Sequence, residues 1–272
     1  MKNFKTIGLV LPSGNIKNPD EINQKIALLE QKFKVKKFYN ENTSLRYLSD
    51  LDENRIAFLE NAFLDDEVDI VLSVRGGFGA LRIIDKINYE KIKNSSKVYI
   101  GSSDATILLM ALNDKTKIKC FHGLMVSNGF IENLEKNLDI IENSKFEINY
   151  KPIKKFNNNV SGCLWGGNLS SIVSTFSSFN FNLDENIILF LEDLNEPLYK
   201  IDKMLFEIYR NEKLKNKIKG IIFGDFYFEE EEIMPLLNEY ANLFKVNCYL
   251  SKDITHKINN VTLPFYKKVE LF

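Results

Sequence analysis

The stretch VDIVLSVRGGFGALRIIDKI, residues 68–87, and its sequel KVYIGSSDATILLMALN, residues 97–113, decide the fold. Each opens as a short, almost uninterrupted apolar run, breaks at a turn of small residues, and resumes as a helix pattern. A strand apolar on both faces belongs inside a sheet that helices cover on both sides. Two such strand–turn–helix units in succession predict a parallel, doubly wound sheet. Upstream, residues 5–11 read as a further apolar strand that ends at the turn residues Pro12, Ser13 and Gly14. Asp20 is expected to cap a helix reaching Phe33, with Ile22, Ile26 and Leu29 as its apolar stripe. Residues 52–63 repeat this grammar, with Ile56, Leu59, Glu60 and Phe63 three or four apart. Residues 1–145 therefore read as one α/β lobe.

Beyond it the pattern changes. Residues 146–159 carry lysines, asparagines and a proline, and read as a linker. Residues 160–272 read as a smaller, mixed α/β lobe. SGCLWGGNLSSIVSTF is a turn-rich stretch entering a helix, IILFLED a strand, YKIDKMLFEIYR a helix and IKGIIFGDF a strand. Short strands and turns follow to the end. The run Glu229-Glu230-Glu231-Glu232 suits the opening of a solvated helix, where carboxylates meet the positive end of the dipole.

Lysine plus arginine, 36, nearly cancels aspartate plus glutamate, 37, so nothing in the charge favours nucleic acid. No segment approaches the roughly 20 apolar residues of a membrane span. The apolar run near the N-terminus is too short for a signal peptide and reads as a first strand. Cys120, Cys163 and Cys248 are scattered, with no CxxC pair, so neither a disulfide framework nor a zinc site is expected. These features fit a cytoplasmic protein.

In a doubly wound sheet, ligands bind beyond the carboxyl ends of the strands. Two turns at such ends are specialised. Arg75-Gly76-Gly77-Phe78-Gly79 lets the backbone approach a ligand and expose its amides, or serves packing alone; it is neither GxGxxG nor a Walker loop. Gly101-Ser102-Ser103-Asp104-Ala105-Thr106 lies where a nucleophile elbow would lie, although the same residues also suit a simple helix cap. A serine nucleophile needs a base, and the chain has two histidines. His122, among apolar residues in CFHGLM, reads as a buried structural histidine. His256, in a polar loop, reads as one able to reach a cleft, or as ordinary surface. Glu192 and Asp193 end the strand IILFLED and are candidates to orient an imidazole.

Taken together, VRGGFGALRIID, IGSSDAT, FHGLM, GGNLSSI, FLEDLNEPLYKIDKML, GIIFGDF and HKINNVTLP, in that order, resemble the LD-carboxypeptidase family. That family includes murein tetrapeptide carboxypeptidases and microcin-immunity peptidases. The resemblance spans nearly the whole chain. It implies a flavodoxin-like N-terminal lobe and a smaller C-terminal lobe, with Ser103 as nucleophile, Glu192 as catalytic acid partner and His256 as base. It further implies an oxyanion hole from the backbone amides of Gly77 and Asp104. Arg75 has the bidentate geometry to pair with a substrate carboxylate or, equally, to brace the glycine turn, and Asn168 is a further candidate for substrate binding. The implied reaction releases the terminal D-alanine of a murein tetrapeptide, with cleavage of a peptide–nucleotide conjugate as the alternative. Neither metal nor organic cofactor is implied. The partner is the murein peptide, and a homodimer is compatible with it. Three spellings depart from the family: Leu124 where HGPM is usual, Thr255 where glycine commonly precedes the histidine, and Phe265 where glycine often follows TLP. These departures touch substrate fit more than chemistry.

Overall fold

Unbroken apolar runs in β-branched residues become the interior strands of two sheets. A computed structural model describes residues 4–178 and 182–272. In chain order the elements are β1 (Thr6–Val10), α1 (Pro19–Glu30), β2 (Lys34–Phe38), α2 (Asp52–Leu64), β3 (Ile70–Ser73), α3 (Tyr89–Ile92), β4 (Val98–Gly101), α4 (Thr106–Lys115), β5 (Lys119–His122) and α5 (Leu134–Asn143). There follow β6 (Lys151–Lys154), β7 (Val160–Asn168), α6 (Leu169–Ser174), β8 (Ile187–Glu192), α7 (Leu198–Arg210), α8 (Glu212–Lys215), β9 (Ile218–Phe223), α9 (Glu230–Phe244), β10 (Asn247–Leu250), β11 (Leu263–Pro264) and β12 (Lys268–Leu271). Two compact units result: residues 1–145 with 262–264, and residues 146–261 with 265–272.

In the first unit the strand order is β11-β5-β4-β3-β1-β2, parallel except for β11. Without β11 this is the flavodoxin-like order. Strands β1, β3 and β4 are buried at every position, as their uninterrupted apolar character requires. Helix α1 buries Ile22, Ile26 and Leu29 as expected, but its cap is Asn18, whose side chain accepts from the Glu21 amide. Pro19 explains the difference. It sits in the first turn, where a missing N–H costs nothing, and leaves Asp20 inside the helix. Helix α2 buries Asp52, Arg55 and Leu59, while Ile56 is only half-buried. The expected helix after the glycine turn is a single 3₁₀ turn, Ala80–Arg82. Ile83, Ile84 and Ile87 behind it are all buried, an arrangement no one-sided helical stripe satisfies.

The second unit is a sheet of order β12-β7-β8-β9-β10-β6, in which β7 to β10 run parallel and both edge strands are antiparallel. The stretch expected as a linker contributes β6, an edge strand with Lys151, Pro152 and Lys154. Lysine and proline are what a protected sheet edge carries, and that composition hides the strand from a pattern reading. Helix α7 buries Ile201, Leu205 and Ile208, four and three residues apart. Helix α9 starts with Glu230, Glu231 and Glu232 in its first turn, as the acidic run predicts. Among the described residues, no helix is long and apolar enough to cross a membrane.

Candidate active site

In the first unit, β4 ends at Gly101 and the chain turns through Ser102 into the short 3₁₀ segment Ser103–Ala105 before α4. Ser103 has φ 56°, in the left-handed region that disfavours a side chain. A non-glycine residue held there costs on the order of 1–3 kcal/mol, and such strain is concentrated at functional turns. Strand, strained turn and helix are the ingredients of a nucleophile elbow. The cap residues are Ser102 for the 3₁₀ segment and Ala105 for α4, and neither side chain makes a capping hydrogen bond.

The glycine turn presses on the same residue. A methyl group built on Gly76 would lie 2.7 Å from Ser103 Cβ and 2.9 Å from its Oγ. Gly77 has φ 112° and lies against Gly14, so glycine is required twice over. The Gly76 carbonyl accepts from the Gly14 amide at 3.1 Å. Asp104 stitches the two turns together, since its buried carboxylate accepts from the Ala80 amide at 2.8 Å. Burial raises the Asp104 pKa against the opposing pull of its hydrogen bonds and of Arg55.

Sequence reasoning missed Arg55, which is 1% exposed. Its guanidinium donates to the carbonyls of Pro12 and Gly79, the latter at 3.0 Å, and pairs with Asp52 at 2.6 Å. It thus braces the loop after β1 and the glycine turn from beneath. An arginine on the inner face of α2 carries no local signal, because helical spacing ranks apolar residues only. Arg75 is half-buried and donates to the Asn15 carbonyl. Burial lowers its pKa, and among the described residues it has no carboxylate partner. His122 is fully buried in β5, paired with Gly101 on one side and Leu263 on the other, as a structural histidine should be.

In the second unit, Glu192 and His256 meet, with His256 Nδ1 directly against a Glu192 carboxylate oxygen. Glu192 is completely buried at the end of β8, and the His256 side chain is only 12% exposed. Burial disfavours the imidazolium, yet Glu192, with Asp193 and Asp225 behind it, more than offsets that and raises the His256 pKa. The contact fixes which nitrogen faces the carboxylate and leaves Nε2 for a proton transfer.

Asp193 plays a different part. It accepts from the amides of Ser170 and Leu194, both at 2.8 Å, and from the Asn168 side chain at 2.9 Å. Its pKa is raised, chiefly by burial and then by the neighbouring Glu192. Asn168, a candidate substrate-binding residue from sequence, caps α6. Its side-chain oxygen accepts from the Ser171 amide at 3.0 Å and from the Ser170 and Ser171 hydroxyls. Both ends of its amide are engaged in scaffolding, and it is buried at the end of β7.

Comparison with known proteins gives these observations a frame. The LD-carboxypeptidase N-terminal domain matches residues 7–123, and the LD-carboxypeptidase C-terminal domain matches residues 161–271. A probable murein peptide carboxypeptidase of Bacillus subtilis is 31% identical over 233 residues, covering 82% of this chain and 72% of the relative. Among solved structures, a muramoyltetrapeptide carboxypeptidase from Oxalobacter formigenes has a TM-score of 0.81 at 22% identity, covering 98% of this chain and 95% of the other. The microcin C7 self immunity protein MccF has a TM-score of 0.86 at 18% identity, covering 99% and 93%. At these identities the two structures speak for the fold. Two domain matches in the expected order, together covering most of the sequence, establish that this chain belongs to the LD-carboxypeptidase family.

Proposed function

We propose that the protein is a serine LD-carboxypeptidase that removes the terminal D-alanine from murein tetrapeptide, with Ser103, His256 and Glu192 as its triad. The observation that carries this reading is the buried Glu192–His256 contact, in a chain that holds Ser103 strained at a strand-to-helix turn. The named relative, a probable murein peptide carboxypeptidase, supports the substrate class.

In this mechanism His256 Nε2 takes the Ser103 hydroxyl proton as Oγ attacks the carbonyl of the L-centre of diaminopimelate. The Gly77 and Asp104 amides receive the oxyanion, and the packing of Gly76 against the strained Ser103 keeps the turn in place before substrate arrives. The C–N bond then breaks, and the imidazolium returns its proton to the departing amine of D-alanine. Water, deprotonated by His256, attacks the acyl-enzyme, and the C–Oγ bond breaks as the imidazolium returns the proton to Ser103 Oγ, releasing the tripeptide. Glu192 stabilises the imidazolium in both halves. Arg75, which has no carboxylate partner among the described residues, is suited to receive the terminal carboxylate of the substrate.

The test is a kinetic comparison of murein tetrapeptide, its C-terminal amide and its all-L analogue, with released alanine measured by mass. Losing a charge-assisted bond costs about 1.5–3 kcal/mol, so the tetrapeptide should exceed the amide by at least roughly tenfold in kcat/KM. Equal rates for all three peptides would falsify the carboxypeptidase reading and favour a broader amidase.

A further inference from the structure

The segment GIIFGDF, residues 220–226, is one of those that carry the family resemblance, yet no catalytic step uses it. We propose that Gly224 and Asp225 are positioning residues that set how Glu192 and His256 meet. Resting on the triad reading above, the inference concerns the second unit alone.

Gly224 follows β9 directly and lies against both partners' chains. Its amide donates to the Leu191 carbonyl at 2.7 Å. A methyl group built on it would lie 2.5 Å from the Ile254 carbonyl oxygen, 3.0 Å from the Leu191 carbonyl oxygen and 3.1 Å from Glu192 Cβ. Two of these atoms are backbone and cannot rotate aside. Only glycine therefore lets the end of β8 and the loop carrying His256 approach this closely.

Asp225, 5% exposed, holds that loop on both sides of the histidine. Its amide donates to the Ile254 carbonyl at 2.8 Å. Its carboxylate accepts from the Thr255 hydroxyl and from Lys257 Nζ, each at 3.3 Å, with Lys252 Nζ 3.8 Å away. The Tyr227 amide donates to the same carboxylate at 2.9 Å, and the Tyr227 hydroxyl lies 3.1 Å from the Thr255 hydroxyl. Thr255 occupies the position where the family commonly has glycine, and its hydroxyl is what connects this chain's loop to Asp225. The residues immediately before and after His256 are thus tied to one buried carboxylate.

The charged and titratable groups around His256 are Glu192 and Asp193 at the end of β8, Asp225 and Tyr227 after β9, and Lys252 and Lys257 in its own loop. Replacing Asp225 by asparagine removes one of three carboxylates that favour the imidazolium, so the His256 pKa should fall. Replacing Gly224 by alanine leaves every charge in place and displaces only the backbone.

Both variants are read by NMR titration of the two histidines, with His256→Gln for assignment, and by kinetics on murein tetrapeptide. Asp225→Asn should lower the His256 pKa, move the acid limb of kcat/KM to lower pH in step with it, and reduce kcat at least tenfold. Asp225→Glu should restore the pKa but not the rate, since it returns the charge on a longer stem. Gly224→Ala should reduce kcat at least tenfold with KM nearly constant and shift the His256 resonance. A wild-type His256 titration in Asp225→Asn together with an unshifted resonance in Gly224→Ala overturns the assignment. Should the wild-type protein leave the tetrapeptide intact while His256 still responds, the substrate reading fails and the positioning role stands.

Discussion

Glu192 and Asp193 are consecutive carboxylates, but Glu192 faces His256 while Asp193 receives the amides of Ser170 and Leu194 and the Asn168 side chain. Glu192→Gln keeps the shape and removes the charge that stabilises an imidazolium. Turnover should fall by roughly 10³–10⁴ with little change in KM. Asp193→Asn should retain most turnover and lose roughly 1–3 kcal/mol of stability, because buried donors are left poorly paired. The reverse ranking in kinetics and urea melts would exchange the two roles. His256 adds a pH signature. Its folded-state pKa is raised, so the pair with Glu192 stabilises the fold fully below the ordinary histidine range. That contribution is lost as pH rises through the raised value, whereas the proposed base must be neutral to accept a proton, so activity should rise over the same window. Stability and activity should therefore move in opposite directions across it, and both trends should vanish in His256→Gln.

At the scale of elements, the two turns after β3 and β4 behave as one unit, because Gly76 packs on Ser103 and Asp104 bonds to Ala80. A methyl group at residue 76 would sit 2.7 Å from Ser103 Cβ, so Gly76→Ala should lower kcat at least tenfold even though it changes no polar group. Ser103→Ala and Ser103→Gly should both abolish turnover, but they should differ in stability. Glycine relieves the left-handed strain that alanine retains, so Ser103→Gly should be the more stable of the two by about 1 kcal/mol in urea unfolding. Equal stabilities would mean that the turn is not strained. Most of these elements were legible in the sequence: β3 and β4 as buried apolar runs, α1 from its stripe, α9 from its acidic opening. The 3₁₀ turn at Ala80–Arg82 and the edge strand β6 were not, since burial by distant neighbours overrode local spacing in one and edge protection masked it in the other.

At the scale of the whole molecule, the last residues serve both units. Leu263 and Pro264 form β11 against β5 of the first sheet, while Lys268–Leu271 closes the edge of the second against β7. The Thr262 hydroxyl donates to Asn137 Oδ1 at 2.8 Å, with both residues about 1% exposed. Thr262→Val preserves volume and strands that acceptor, so unfolding should become easier by roughly 1–3 kcal/mol. An unchanged denaturation midpoint would show that this hydrogen bond adds nothing to stability. Phe265, where the family often has glycine, packs its ring 6.4 Å from both Trp165 and Phe190. The departure is thus absorbed into the core of the second unit. By itself the sequence determined the parallel α/β architecture, the family, and which serine, histidines and carboxylates deserved scrutiny, because periodicity and turn chemistry are local and survive in one dimension. Only the tertiary structure decided that Arg55 is buried beneath the glycine turn, that Ser103 is held left-handed, that Asp193 is spent on the amides of Ser170 and Leu194, and that residues 262–264 join the first sheet. Each of these depends on atoms brought together from positions far apart in the chain, where no spacing rule reaches.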